Sequence, residues 1–333
     1  MNKNAKRPMT MHTTQSVASQ VDLDASYLDR VIQKTFENAA IREVRHLSYA
    51  YTNKTILVRL GGVRENKVVV KICVKKDRFP KLKLEADLIH RASTEVGLPV
   101  PKIINKDFSL KIIPYPFIIF SFLPGENLAD AIIHIEDKGK LGQEIAQIAS
   151  KIHTIKVDEP HFSLAEKIKY KSWVEIVETV CATGIKRLRE NKYSRTTEVE
   201  RYVSDNIKCV REPEKHTLIH RDIQPQNLHW DNKLKKIVGV FDFESAMSGD
   251  YHFEFNFLER MLFKAYPIVR TSFYNTYAKH NKLQENYEQL VRFYEVVRDL
   301  YFYDRDIDYG ELDRADAAIE SIERLIFRDW SVG

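Results

Sequence analysis

Cysteine is scarce in this chain of 333 residues: Cys73, Cys181 and Cys209 are odd in number, far apart and never in CxxC spacing. That pattern excludes a disulfide framework and a cysteine zinc site, and it points to reduced thiols in a cytoplasmic protein. The histidines show no metal-ligand spacing either. No GxSxG elbow supports a Ser-His-Asp hydrolase. The first twenty residues are rich in Ser, Thr, Asn and Gln and lack the apolar core of a signal peptide, so residues 1–20 are expected to be disordered. The most apolar run, IIPYPFIIFSFL, is short and broken by prolines, which argues against a membrane span. The net charge of +5 is a small difference between 52 basic and 47 acidic residues, and no basic run or repeated basic face suggests a nucleic-acid partner. No internal repeat is present.

What is there reads as an ordinary soluble protein, 44% hydrophobic and 30% charged, long enough for one large or two modest domains. From Asp22, DLDASYLDRVIQKTFEN has the pattern of a capped amphipathic helix. TILVRL and KVVVKIC read as strands of a hairpin joined across Gly61-Gly62. KLKLEADLIHRASTEVG has helical period and stops at Gly97 before Pro99 and Pro101. PFIIFSFLPG then reads as a buried strand running into a turn at Pro124-Gly125. Beyond Asn127 the patterns are helical, apart from the stretch around residues 217–242. The chain is therefore expected to form a small β-rich lobe, a connector near residues 120–126 and a larger helical lobe.

Two charges stand where the pattern is apolar. Leu82, Glu85, Ile89, Ala92 and Val96 follow helical spacing, which puts the Glu85 carboxylate on the apolar stripe. Lys71 stands inside VVVKIC. Desolvation of an unpaired ion costs several kcal/mol by rough estimate, so the economical solution is that the two meet. The plainer alternative has Lys71 alternating out to solvent and Glu85 at the edge of the stripe.

The stretch LIHRDIQPQNLHW breaks an apolar run with an aspartate, a proline and an asparagine. TLIH and NLHW read as strands, RDIQPQ as a loop fixed by Pro225, and a turn at Asp231-Asn232 leads into KIVGVF, which ends at Asp242. The hairpin can return Asp242 to the neighbourhood of Asp222 and Asn227. Phosphoryl transfer from a magnesium nucleotide needs such a set: one carboxylate to accept the proton of the attacking hydroxyl, and an amide and a second carboxylate for hard Mg²⁺ ions on the phosphates. Lys71, anchored by Glu85, would grip the α- and β-phosphates.

Lys71 in VVVKI, Glu85 in the following helix, HRDIQPQN and FDFES occur in the order of the protein-kinase superfold. GLPVPKI, FSFLPGENL, IASKIHTI and VFDFESAMSGD resemble its small-molecule branch, the aminoglycoside phosphotransferase and choline kinase-like family, over roughly residues 40–260. The resemblance implies an α+β, two-lobed protein-kinase-like fold. Residues 21–123 would form an N-terminal nucleotide-binding lobe, a small antiparallel β-sheet with one main helix. Residues 124–333 would form a larger, mostly helical C-terminal lobe for catalysis and substrate binding. It implies Asp222 as catalytic base, Asn227 and Asp242 as Mg²⁺ ligands, and Lys71 and Glu85 on the nucleotide. Thr52 and Asn53 would contact phosphate, and the backbone of Ser121 and Leu123 would bind adenine. The donor would be ATP, with GTP left open, and the acceptor a small-molecule hydroxyl, an aminoglycoside first. His220 and Asp250 would be structural. Asp304, Asp306 and Asp308 in the tail, with Glu254 after the metal loop, are substrate candidates for a polycation, although the interleaved Arg305 and Arg314 fit a solvated, salt-bridged helix.

The chain departs from the family in places. The loop LSYAYTNKT, residues 47–55, lacks the usual glycines over the phosphates. Arg221 stands where small-molecule phosphotransferases often carry glycine, and the resulting HRD is the protein-kinase spelling, yet the short segment after Asp242 and the absence of APE leave no room for a regulated activation segment. A metabolite kinase of the choline, homoserine, methylthioribose or fructosamine type, a nucleotide-binding pseudokinase and a true protein kinase stay open as alternatives. Arg221 has no assignable part in any of them.

Overall fold

The structure, a computed structural model, describes residues 25–47, 53–165 and 168–327. The chain divides into two compact units.

The first takes in the chain up to Ala86 together with Lys102–Phe122. After helix α1 (Ala25–Thr35) come strands β1 (Ala40–His46), β2 (Lys54–Gly61) and β3 (Lys67–Ile72), then helix α2 (Phe79–Thr94), and strands β4 (Ile103–Asp107) and β5 (Phe117–Ser121). The strands form one antiparallel sheet in the order β1-β2-β3-β5-β4. Side chains alternate across a strand, so the register sets Ile56, Val70 and Ile119 in one row and Ile72 beside Phe117. Together with Val31 and Ile32 of α1 they make one continuous apolar cluster. The same alternation turns Lys71 to the other face of the sheet.

The sequence pattern missed two strands. β1 is exposed along nearly its whole length and β4 is only half-buried, so neither has a buried face to produce alternation. Both are edge strands, defined by their hydrogen bonds to β2 and β5, and β1 carries the charges that blunt such edges.

The chain passes into the second unit within α2, and that unit comprises Asp87–Pro101 and the chain from Leu123 onward. Gly97 has φ +61°, the left-handed value that ends a helix cheaply only at glycine, and Val240 N–H donates to Pro99 O at 2.9 Å. A short strand β6 (Glu126–Asn127) and helices α3 (Leu128–Ala131) and α4 (Lys138–Ile152) follow. Helices α5 (Trp173–Glu190) and α6 (Thr196–Asn206) precede the β insert: β7 (Thr217–Ile219), β8 (Leu228–Asp231), β9 (Lys236–Val240) and β10 (Met247–Gly249). β8 and β9 form the expected hairpin with β6 on its edge, and β7 pairs with β10. Helices α7 (His252–Leu258), α8 (Pro267–Tyr277), α9 (Tyr287–Asp308) and α10 (Leu312–Phe327) complete it, with a π-helical turn at Glu259–Phe263 after α7. Trp173, Leu188, Phe293, Tyr294, Leu300 and Ile322 lie in the core that α5, α9 and α10 share. Among the described residues no helix is long and apolar enough to cross a membrane.

Candidate active site

In the first unit, Lys71 Nζ donates to Glu85 Oε2 at 2.7 Å, and both side chains are almost fully buried. α2 brings Glu85 up on the stripe that also carries Leu82, Ala86 and Ile89, all buried. Pairing lowers the desolvation cost that each charge carries in that setting. Asn53 lies buried just before β2. Thr52, with most of the loop 47–55, lies outside the described residues. Ser121 ends β5. Its N–H donates to Lys102 O at 2.9 Å and its Oγ accepts from Lys102 N–H at 3.0 Å, which removes that N–H from the expected contacts with adenine. Leu123, half-buried, opens the second unit.

In the second unit, the break between β7 and β8 is a built loop. Pro225 starts a 3₁₀ turn, Pro225–Asn227, which carries Asn227 back over Asp222. Asn227 Nδ2 donates to Asp222 Oδ2 at 2.8 Å and to Asp222 O at 3.0 Å. Phe241 N–H donates to Asn227 O at 3.0 Å, so the end of β9 sets Asp242 beside this pair. The Asp222 carboxyl titrates well above the usual carboxylate range because burial disfavours its ionised form and the Asp242 charge adds to this, against the hydrogen bond from Asn227.

His220 is structural, as expected. Asp222 N–H donates to His220 Nδ1 at 3.2 Å, and with Nδ1 accepting, Nε2 carries the proton to Phe241 O at 2.9 Å. The ring is thus neutral, and burial holds its pKa below the ordinary value although Glu254 and Asp242 pull the other way. The imidazole ties the loop to the end of β9 and packs, tilted, with its ring centroid 4.4 Å from that of Phe243, which is fully buried. Asp250 is also a brace. It accepts from His252 Nδ1 at 2.6 Å and from Tyr294 Oη at 2.8 Å, and these partners outweigh burial to hold its carboxyl below the usual range.

Glu254, expected as a substrate contact, is corrected by its placement. It is fully buried, and its carboxylate accepts the N–H of His220 at 2.6 Å and of Arg221 at 3.0 Å. It holds the loop from beneath. The signal was present in the sequence, since a carboxylate inside the apolar run HFEFNFL is the same anomaly that marked Glu85. The tail aspartates are corrected in part. Arg187 takes Asp304 at 2.8 Å and Asp308 at 2.6 Å, and Asp306 is buried against Arg305. The helix is ion-paired, as the plainer expectation had it, but Asp304 and Asp308 pair with Arg187 of α5, and at Asp306 the helix is buried and not solvated.

With this geometry in place, comparison with known proteins decides the family. The profile of the phosphotransferase enzyme family matches residues 43–291. The chain belongs to that family. It is an ATP-dependent phosphotransferase with an alcohol group as acceptor, a kinase. Its fold is that of solved aminoglycoside phosphotransferases. APH(4)-Ia is 16% identical with a TM-score of 0.68, over 91% of this chain and 98% of that one. The GDP and kanamycin complex of APH(2")-IIia is 15% identical with a TM-score of 0.69, over 91% and 98%. A thermostable mutant of APH(4)-Ia in a ternary complex with ADP and hygromycin B is 15% identical with a TM-score of 0.68, over 91% and 99%. No curated protein sequence matches the chain. The family fits the chemistry of the loop, where Asn227 and Asp242 offer an amide oxygen and a carboxylate, the hard donors that Mg²⁺ takes.

Proposed function

We propose that the phosphotransferase moves the γ-phosphate of ATP to a hydroxyl of an aminoglycoside-type molecule in the cytoplasm, with Asp222 as the base. The observation that carries this reading is the Asp222 carboxylate held at 2.8 Å by Asn227 beside Asp242, where β7 and β9 end and β8 begins. Asp222 orients the attacking hydroxyl and accepts its proton as the new O–P bond forms and the bond between the γ-phosphorus and the leaving ADP breaks. Asn227 keeps the carboxylate aimed, and because its Nδ2 is turned to Asp222, the oxygen of the same amide is the atom left for a cation, with Asp242 as the second ligand. Bound there, Mg²⁺ supplies charge neutralisation on the phosphate oxygens. Lys71, fixed by Glu85, holds the nucleotide phosphates. The acceptor class is supported by the neighbours solved with kanamycin and hygromycin B. A small acceptor is supported by the short segment 243–251 between Asp242 and α7, which has no room for a peptide-docking loop.

A metabolite alcohol is the second reading. It is favoured by Arg187, which neutralises Asp304 and Asp308 and so removes acidic surface a polycation would need. A coupled ADP- or GDP-release assay separates the two, with ATP or GTP as donor across aminoglycosides and metabolite alcohols, and the Asp222→Ala protein as control. Turnover on metabolite alcohols alone would overturn the aminoglycoside assignment, and equal turnover by Asp222→Ala would overturn the base.

A further inference from the structure

Arg221 sits immediately before the proposed base and has φ +67°, in the left-handed region that side chains with a Cβ avoid. A strained residue persists only where its surroundings over-determine it. Here they do so twice. The backbone is fixed from below, since the Arg221 N–H donates to Glu254 Oε1 at 3.0 Å. The side chain is fixed from the side. Its guanidinium lies 4.2 Å from the ring centroid of Phe162 and 4.7 Å from that of Tyr301, and NH1 donates to Phe162 O at 3.1 Å. The two rings meet edge to face at 4.7 Å. Arg221 is 8% exposed, and among the described residues no carboxylate pairs with its guanidinium. The charge is held by two aromatic faces and a carbonyl instead of by an acid, a geometry suited to a planar guanidinium and not to an ammonium.

Phe162 is itself anchored. Its neighbours bridge to β10 and the residue before it, through His161 N–H to Ser248 O at 3.1 Å and Leu164 N–H to Ala246 O at 3.1 Å, while Tyr301 belongs to α9. The clamp therefore ties the turn at residue 221 to two other elements of the same unit. We infer that Arg221 is a positioning residue: clamped between Phe162 and Tyr301, it holds the left-handed turn that aims the Asp222 carboxylate. The side chain stabilises a backbone conformation that glycine would adopt unaided, and it touches neither nucleotide nor acceptor. This rests on the reading of Asp222 as base.

The test compares Arg221→Gly with Arg221→Ala. Glycine enters the left-handed region freely, whereas alanine loses the clamp and keeps the penalty. Arg221→Ala is expected to lower kcat on the order of 10²-fold with the nucleotide KM unchanged, the scale of a small misplacement of a reacting group. Arg221→Gly is expected to stay close to wild type, and Arg221→Lys to resemble Ala. Turnover is read as ADP release from ATP and Mg²⁺ with kanamycin, with hygromycin B and with water alone. Crystal structures read the loop without any acceptor: Arg221→Gly keeps a positive φ at 221 and the Asn227–Asp222 bond, and Arg221→Ala loses both. Should the Ala protein not fold, Arg221→Asn takes its place, because asparagine tolerates the left-handed region better than other residues with a Cβ, and it should fall between Gly and Lys. Equal effects of Gly and Ala, or a change confined to KM, would overturn the inference. Unimpaired turnover by Asp222→Ala would instead overturn the base assignment, and the two crystal structures would still decide whether Arg221 holds the turn.

Discussion

Asn227 reaches back five residues to hold Asp222, its Nδ2 donating to the Asp222 Oδ2 at 2.8 Å and to the Asp222 carbonyl at 3.0 Å. The 3₁₀ turn from Pro225 sets this reach, and the bond fixes one rotamer of the carboxylate. A positioned carboxylate that only moves a proton contributes to turnover and little to nucleotide affinity. Asp222→Ala is therefore expected to lower kcat by roughly 10²–10⁴ with nucleotide binding retained. Steady-state kinetics with calorimetric titration of nucleotide checks this, and intact turnover with lost nucleotide binding would sink the assignment.

The buried pair of the first unit makes a stability prediction. Lys71→Met removes the cation that Glu85, only 2% exposed, accepts from at 2.7 Å, and breaking a buried pair on one side should cost about 3–5 kcal/mol of stability. The double variant Lys71→Met/Glu85→Leu removes both charges and should recover most of that loss. Urea unfolding of the two proteins gives the comparison, and a double variant no more stable than the single one would show that the pair is not the cause.

The raised pKa of Asp222 fixes the sign of a pH effect. Burial and then the Asp242 charge keep the native carboxyl protonated above the range in which the unfolded chain titrates. Below that ordinary range both states are protonated and the residue contributes no pH dependence. As pH rises from there through the raised native value, the unfolded state ionises first and stability is lost. Asp222→Asn, which can still accept from Asn227, should accordingly be more stable than wild type at neutral pH in magnesium-free buffer, and the difference should vanish on acidification. Thermal unfolding across pH measures it, and a constant difference at all pH values would show that ionisation of Asp222 is not its cause.

Lys71, Glu85, Asp222, Asn227 and Asp242 were legible in the sequence because each breaks an apolar pattern: charges on a stripe, or polar residues interrupting strands. Patterns of that kind reflect burial, and burial is what the fold enforces. Glu254 broke its pattern in the same way, but a sequence gives no direction for a carboxylate, and only the structure shows it turned to the backbone of His220 and Arg221. Arg221 was opaque for another reason. Its conformation depends on Phe162 and Tyr301, residues far away in the chain that no local spacing relates to it. The edge strands β1 and β4 failed for want of a buried face.

Gly249 closes β10 against the face of Trp173, and a Cβ there would overlap the indole ring. Trp173 is fully buried and cannot yield freely. Its Nε1 donates to Tyr294 Oη at 2.8 Å, and that hydroxyl donates to Asp250 Oδ2 at 2.8 Å. Moving the indole therefore pulls on the aspartate that braces the segment after Asp242. Gly249→Ala should destabilise the protein by about 1–3 kcal/mol through overpacking. The double variant Gly249→Ala/Trp173→Phe, which makes room for the methyl group, should lose less than the sum of the two single losses, because the sites share one contact. Chemical denaturation of all four proteins measures that coupling, and strict additivity would show that the indole is not what the methyl group meets.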